Sequence, residues 1–263
     1  MNASAVLFRY RMAINTVVIV LGFWAPWIDF LGPHAGFGRR ISLLEWLALE
    51  LSRTGLLRFT LAAPAVIVVA ALIAAIGAFF RVWGTAWLGP GIVQHAQMKA
   101  GSILADGPYR YVRNPLYLGL WCMVLALSFV MPPTGALFTA VVITAFILAL
   151  IRGEEAFLTA QLGDSYRAYL AAVPRLIPNL RAALRPTGRK PRWARALLAE
   201  IIPIGVFLAL AVFSWTYNNQ LMIRVIMVSL GVSLITRAFL AGAPQSSLEP
   251  GPDPSKDRAA ADL

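Results

Sequence analysis

Residues Asp106-Gly107-Pro108-Tyr109-Arg110-Tyr111-Val112-Arg113-Asn114-Pro115-Leu116-Tyr117-Leu118-Gly119 form a short polar, aromatic and basic segment between long apolar runs. A helix that only had to enter a bilayer has no need of that chemistry. Asp106-Gly107-Pro108 reads as a turn, with Pro108 opening a short helix. That helix must stop before Pro115, because the residue preceding a proline is pushed out of the α region. Asn114 is then placed to cap the following helix, with Pro115 at its first position. A capped helix start presents free N–H groups and a partial positive charge to an anion. Arg110 and Arg113, three apart, can share a face. They either hold the loop to lipid phosphates or bind a carboxylate, for which the planar guanidinium is well shaped. Tyr109, Tyr111 and Tyr117 are interfacial by default, and their rings can also stack on an adenine or face a cation.

Composition decides the solvent. The chain has 263 residues, 59% of them hydrophobic and 13% charged, against roughly 25% charged in soluble domains, and its mean hydropathy is +0.70. The net charge of +11 lies between apolar segments, so topology and anionic lipid at the cytoplasmic face account for it better than nucleic acid does. No nucleic-acid-binding module accompanies it. Cys122 is the single cysteine, and His34 and His95 stand far apart, so neither an intrachain disulfide nor a metal site is expected. The first apolar run follows Arg9 and Arg11 and lacks a small-residue cleavage pattern, which makes it a span rather than a signal peptide.

The expected architecture is an all-α integral membrane protein of about six transmembrane helices, with cytoplasmic cofactor-binding segments and interfacial amphipathic helices. Spans are expected near 13–32, 61–80, 116–132, 134–151, 197–216 and 221–240. Met131-Pro132-Pro133-Thr134-Gly135 makes the third and fourth an antiparallel hairpin, and Tyr217-Asn218-Asn219-Gln220 joins the fifth and sixth. The densest basic stretch, 152–196, places that segment, 81–115 and both termini on the cytoplasmic side. Arg39, Arg40, Arg53 and Arg58 dissent on the outer side, where Leu43, Leu44, Trp46, Leu47, Leu51 and Leu56 suggest a surface helix. Trp83 and Trp87 share a helix face as interfacial anchors. The chain divides into a first span and surface segment (1–60), a core (61–180), a basic linker (181–196), a helical hairpin (197–240) and a disordered tail (241–263).

The second polar segment begins Arg152-Gly153-Glu154-Glu155-Ala156-Phe157-Leu158. Two glutamates are badly placed at a helix C-terminus, so either Gly153 breaks the chain and they open a new helix, or a glutamate holds an ammonium or sulfonium group. Leu158, Leu162, Tyr166, Tyr169 and Val173 then form an amphipathic stripe, interrupted at Gly163-Asp164 and closed by Pro174-Arg175-Leu176-Ile177-Pro178.

The order and spacing of these motifs across roughly residues 70–180 resemble the isoprenylcysteine carboxyl methyltransferase family and its relatives, the membrane phospholipid methyltransferases. The resemblance implies an S-adenosyl-L-methionine site surrounded by Leu104, Gly107, Tyr109, Arg113, Asn114, Pro115, Tyr117, Glu154 and Glu155. It places the stretch from Tyr166 to Arg175 near a lipid substrate, with Tyr166, Tyr169 and Arg175 as the catalytic candidates. Relatives commonly carry His where this chain has Asn114; an asparagine keeps a hydrogen bond but cannot titrate near neutral pH.

Methyl transfer from a sulfonium is an in-line displacement, and a carboxylate acceptor needs no general base. The expected function is therefore methylation of a carboxylate or headgroup on a prenylated or phospholipid acceptor that enters from the membrane. The alternatives are an NADPH-dependent membrane reductase acting on a lipid, and a small transporter. No glycine-rich dinucleotide fingerprint supports the first. Asp29, Glu200, Arg224 and Arg237 lie toward span ends rather than mid-membrane, which speaks against the second. The oligomeric state is left open by the sequence.

Overall fold

The computed structural model of the chain describes residues 3–25, 41–88, 105–180, 184–185 and 190–242, and every regular element among them is helical. Helices α1 (Ala3–Arg9) and α2 (Arg11–Trp24) precede α3 (Leu43–Arg53) and the long α4 (Phe59–Leu88). A 3₁₀ turn, Gly107–Arg110, leads into α5 (Pro115–Ser128), α6 (Pro133–Leu162) and α7 (Asp164–Ala172). The C-terminal part holds α8 (Trp193–Ala199), α9 (Ile201–Thr216) and α10 (Asn219–Gly242).

Among the described residues three helices, α4, α6 and α10, are long and apolar enough to cross a membrane, and α8 with α9 makes a fourth if the pair, bent by 68° at Glu200, is one span. The expected count of six is not confirmed among the described residues, where α2 and α5 are 14-residue helices. At 1.5 Å per residue each covers about 21 Å against a hydrocarbon core of about 30 Å. Pro115 and the Pro132-Pro133 pair fix the ends of α5, and the run beyond Ala25 lies outside the described residues. Of the two alternatives at Gly153, the break is absent. Helix α6 runs through it for 30 residues and ends at Gly163, whose φ of +59° suits a residue without a Cβ. One interior glycine costs about 1 kcal/mol, too little to stop a helix whose next turn is anchored by tertiary bonds.

Small residues let the helices approach closely, the usual means of association in lipid. A Cβ on Gly119 of α5 would stand 2.7 Å from the Gly77 carbonyl oxygen of α4, and one on Gly77 would stand 2.9 Å from that of Gly119. Gly22 of α2 crosses α6 at Gly135, and Gly205 of α9 crosses α10 at Ser229. At one end of the bundle α3 closes over the α5–α6 turn. Its Leu43 and Leu44 N–H groups donate to the Met131 and Phe129 carbonyls at 2.7 and 2.8 Å. Ser42 and Glu45 form its capping box, and Leu44 is buried with Val66 and Ile67 of α4. The other end gathers the 3₁₀ turn, the last turns of α4 and α6, and α7.

Gly119→Ala is expected to lower the thermal midpoint of the detergent-solubilised protein, by the roughly 1–3 kcal/mol typical of overpacking. Gly231→Ala, where a Cβ meets nothing within 4 Å, is the control and should leave the midpoint unchanged or slightly raised.

Candidate functional site

Two loops that are far apart in sequence are stitched together at this second end. The Arg113 N–H donates to the Pro174 carbonyl at 2.9 Å, and the Asn179 N–H to the Tyr111 carbonyl at 2.9 Å. The Asn114 amide donates from Nδ2 to the Arg175 carbonyl at 3.2 Å. Asn114 therefore stands at the start of α5 but makes no side-chain cap, a correction to the sequence reading. Its side chain is used across the loops, while its carbonyl accepts from Leu118 N–H at 3.0 Å as the first helical acceptor. Pro115 is buried at the first position of α5.

Glu155, buried on α6, is the centre of the arrangement. Arg175 grips its carboxylate through one edge of its guanidinium, Nη2 to Oε2 at 2.7 Å and Nε to Oε1 at 3.3 Å. Arg113 stands 3.6 Å away, Nε to Oε1, and its Nη1 donates to the Leu170 carbonyl at 3.1 Å. Arg113 Nε is buried and has no hydrogen-bond partner. Glu154 is one residue along the same helix and so points about 100° around it. It faces Tyr117, with a side-chain hydrogen bond between them, and Arg11 at the start of α2.

The aromatic residues form an adjoining tier. Tyr169 of α7 donates to the Tyr109 carbonyl at 2.8 Å, and the Tyr109 hydroxyl reaches the Gly84 carbonyl at 3.5 Å. The rings of Tyr166 and Tyr169 are 5.8 Å apart. Gly107, at φ +53°, leaves room for the indole of Trp87, which a Cβ would strike. Burial pushes the Tyr166 hydroxyl up to about 12, helped by the negative charge of Glu155 and then Glu154. Burial likewise raises Tyr169 and Tyr109 well above the ordinary tyrosine value. All three remain neutral hydroxyls at physiological pH and cannot serve as bases there.

Of the residues singled out in the sequence, the structure gathers Arg113, Asn114, Glu155 and Arg175 at one point. Glu154 and Tyr117 form an adjacent wall, and Gly107, Tyr109, Tyr166 and Tyr169 the tier beside it. Leu104 lies outside the described residues. Arg110 turns away, donating from Nε to the Leu184 carbonyl with its guanidinium 5.5 Å from the Tyr111 ring. Sequence reasoning missed Arg11, Arg81, Thr85 and Glu200. Arg81 binds the buried Glu200 through Nε at 2.8 Å and Nη2 at 2.9 Å, and Thr85 donates to the same carboxylate at 2.5 Å. A glutamate between two apolar runs, with an arginine in another run, was the available signal.

Residues 60–165 match the model of the phospholipid methyltransferase family. The match covers less than half of the chain, and it is a likeness of this segment to that family. The matched segment includes Arg113, Asn114, Glu154 and Glu155, while Arg11, Tyr166, Tyr169, Arg175 and Glu200 lie outside it. The chain is 34% identical over 88 residues to the protein-S-isoprenylcysteine O-methyltransferase of Schizosaccharomyces pombe, covering 33% of this chain and 37% of that one. It is 41% identical over 70 residues to the methanethiol S-methyltransferase of Crocosphaera subtropica, 27% of each chain. It is 39% identical over 85 residues to methanethiol S-methyltransferase 2 of Bradyrhizobium diazoefficiens, 31% of each chain. The chain thus spans about a third of the length of these curated relatives. No solved structure matches it.

The Tyr169→Phe variant leaves the Tyr109 carbonyl without its donor and should cost the roughly 1–3 kcal/mol of an unsatisfied buried group, seen as a lower thermal midpoint. Tyr166→Phe removes a hydroxyl with no hydrogen bond among the described residues and should leave the midpoint unchanged.

Proposed function

We propose that this integral membrane protein transfers a methyl group from S-adenosyl-L-methionine to a carboxylate or headgroup of a lipid-like acceptor, prenylated or phospholipid, reached laterally from the bilayer. The observation that carries this reading is the buried Glu155 held between Arg113 and Arg175, with Glu154 beside it, at the junction of the two loops. The donor set suits the cofactor. One small molecule bearing a carboxylate, an ammonium and a sulfonium asks for a guanidinium and carboxylates side by side, and Arg113 offers a buried Nε with no hydrogen bond. In this assignment Arg113 takes the carboxylate, Glu154 faces the cationic groups, and the rings of Tyr109 and Tyr117 border the adenosine.

The bound cofactor supplies an activated methyl group and its own leaving group. What remains for the chain is to position and to exclude water, worth about 7–11 kcal/mol in favourable intramolecular cases. An acceptor that arrives already anionic fits best. Glu155 is ion-paired, burial keeps Tyr166 and Tyr169 protonated, and Asn114 cannot titrate. Arg175, with 41% of its side chain exposed while it grips Glu155, keeps an outward edge for the acceptor's negative charge. The basic segments 81–115 and 152–196 support a cytoplasmic side for the site and both termini, with anionic lipid at the entrance. The names of the relatives add a small thiol to the acceptors worth testing. Neither a nicotinamide-dependent reductase nor a transporter is favoured by the family match.

Calorimetric titration of the solubilised protein should show S-adenosylmethionine binding and no binding of NADPH. Glu155→Gln should weaken the former at least about tenfold, or 1.4 kcal/mol, and unchanged affinity rejects the assignment. Methyl label should pass from the cofactor into a prenylated cysteine carboxylate or a total lipid extract. Label appearing only in methanethiol would replace the lipid acceptor with a thiol.

A further inference from the structure

One short loop turns two large aliphatic side chains away from the protein while its backbone is pinned. The segment 174–180 follows α7, and its Ile177 and Leu180 are 83% and 73% exposed. Three bonds fix it. The Pro174 carbonyl takes the Arg113 N–H, the Arg175 carbonyl takes the Asn114 amide, and the Asn179 N–H donates to the Tyr111 carbonyl. The backbone is thus held on both sides of Ile177 and just before Leu180, and Pro174 and Pro178 restrict it further. Leu176 turns inward instead. It packs against the cluster of Val18, Val124, Ile143, Ile147 and Ile151 on α2, α5 and α6, and α6 is long and apolar enough to cross a membrane. Val17 and Val20 of α2, on either side of Val18 in the chain, are exposed. The tip is therefore continuous with an outward apolar flank of the bundle. In sequence it is bracketed by two arginines, Arg175 with 41% of its side chain exposed and the exposed Arg185.

We propose that this tip is a membrane-docking surface: Ile177 and Leu180 are immersed in the acyl chains of the surrounding leaflet, and the flanking guanidiniums stand at its phosphates. Apolar surface gains by leaving water, and a loop already fixed by backbone bonds loses little further freedom when it docks. Leu176 and Ile177, adjacent but opposed, give the loop one face on the protein and one on lipid. Arginine stems lie along apolar surface while their heads stay at the polar boundary, and anionic headgroups favour that position. Immersion has a consequence for the site. Arg175 is two residues from Ile177 and grips the buried Glu155, so the depth of the tip sets the depth of that ion pair. The charged group of an acceptor then meets Arg175 at the level where headgroups already lie, without leaving the leaflet. That last step rests on the reading of Arg175 as the acceptor's partner, whereas the immersion itself does not.

The test uses the full chain with Cys122→Ala, reconstituted in phosphatidylcholine vesicles and labelled with a thiol-reactive fluorophore at one introduced cysteine. Probes on Ile177→Cys and on Leu180→Cys should lose most of their emission to nitroxide groups carried on the lipid chains, and little to iodide in the buffer. Asp164→Cys, at the start of α7 where the native side chain is 94% exposed, sets the scale for a position in water and should show the opposite pattern. Iodide quenching at Ile177 and Leu180 equal to that at Asp164 overturns the proposal, because the tip then stands in water. Probes that neither quencher reaches overturn it as well, because protein then covers the tip, whether another part of this chain or a second copy. The same preparations separate the immersion from the acceptor reading. Lipid-quenched probes on a protein whose methyl label passes only into a small thiol overturn the acceptor reading and leave the immersed tip standing. Water-quenched probes on a protein that labels lipid do the reverse.

Discussion

A carboxylate taken out of water must find enough positive partners to offset its lost hydration, and Glu155 finds them on two loops from opposite sides of α6. Arg113 comes from the segment before α5 and Arg175 from the segment after α7. The backbone bonds from Arg113 to Pro174 and from Asn179 to Tyr111 follow the same seam. If the glutamate were removed, two guanidinium groups would face each other across that seam with nothing between them. This charge and those backbone bonds together hold the loops in position, and the residues assigned to the donor are carried on the first loop, on α5 and on the helix that presents Glu155.

How near the loops can come is set lower in the bundle. The Gly77–Gly119 crossing brings α4 against α5 at backbone distance, and Gly22–Gly135 does the same for α2 and α6. In a lipid environment apolar side chains gain little by leaving one another, so close packing of small residues carries much of the association. Those contacts bring Arg11 beside Glu154 and Arg81 over the start of α5. Side chains from four separate helices thereby reach a single cluster.

The helices and the pairing of the two polar segments were legible in the sequence because their signals are local: apolar runs, Pro115, Pro133 and Gly163 at the ends, and motifs in a recognisable order. Three features were not. The continuity of α6 through Gly153 depends on Glu155 being fastened by tertiary bonds, which a helix-breaking residue in the sequence conceals. Asn114 has the composition of a cap, but its amide is drawn instead to the Arg175 carbonyl, a partner 61 residues away. Glu200 reads as a charge at the edge of a span until Arg81 and Thr85, more than a hundred residues earlier, are seen to meet it.

The glutamates at 154 and 155, adjacent in sequence, face different neighbours because a helix turns about 100° per residue. One is held by Arg113 and Arg175, and the other faces Tyr117 and Arg11. Around them the guanidiniums of Arg11, Arg81, Arg113 and Arg175 confront the carboxylates of Glu154, Glu155 and Glu200. In the proposed reading a donor with net positive charge adds to that excess. An acceptor that brings a negative charge relieves it, whereas a neutral thiol or amine does not. The same electrostatics that hold the fold together thus bias the choice of acceptor toward a carboxylate or a phosphate-bearing headgroup.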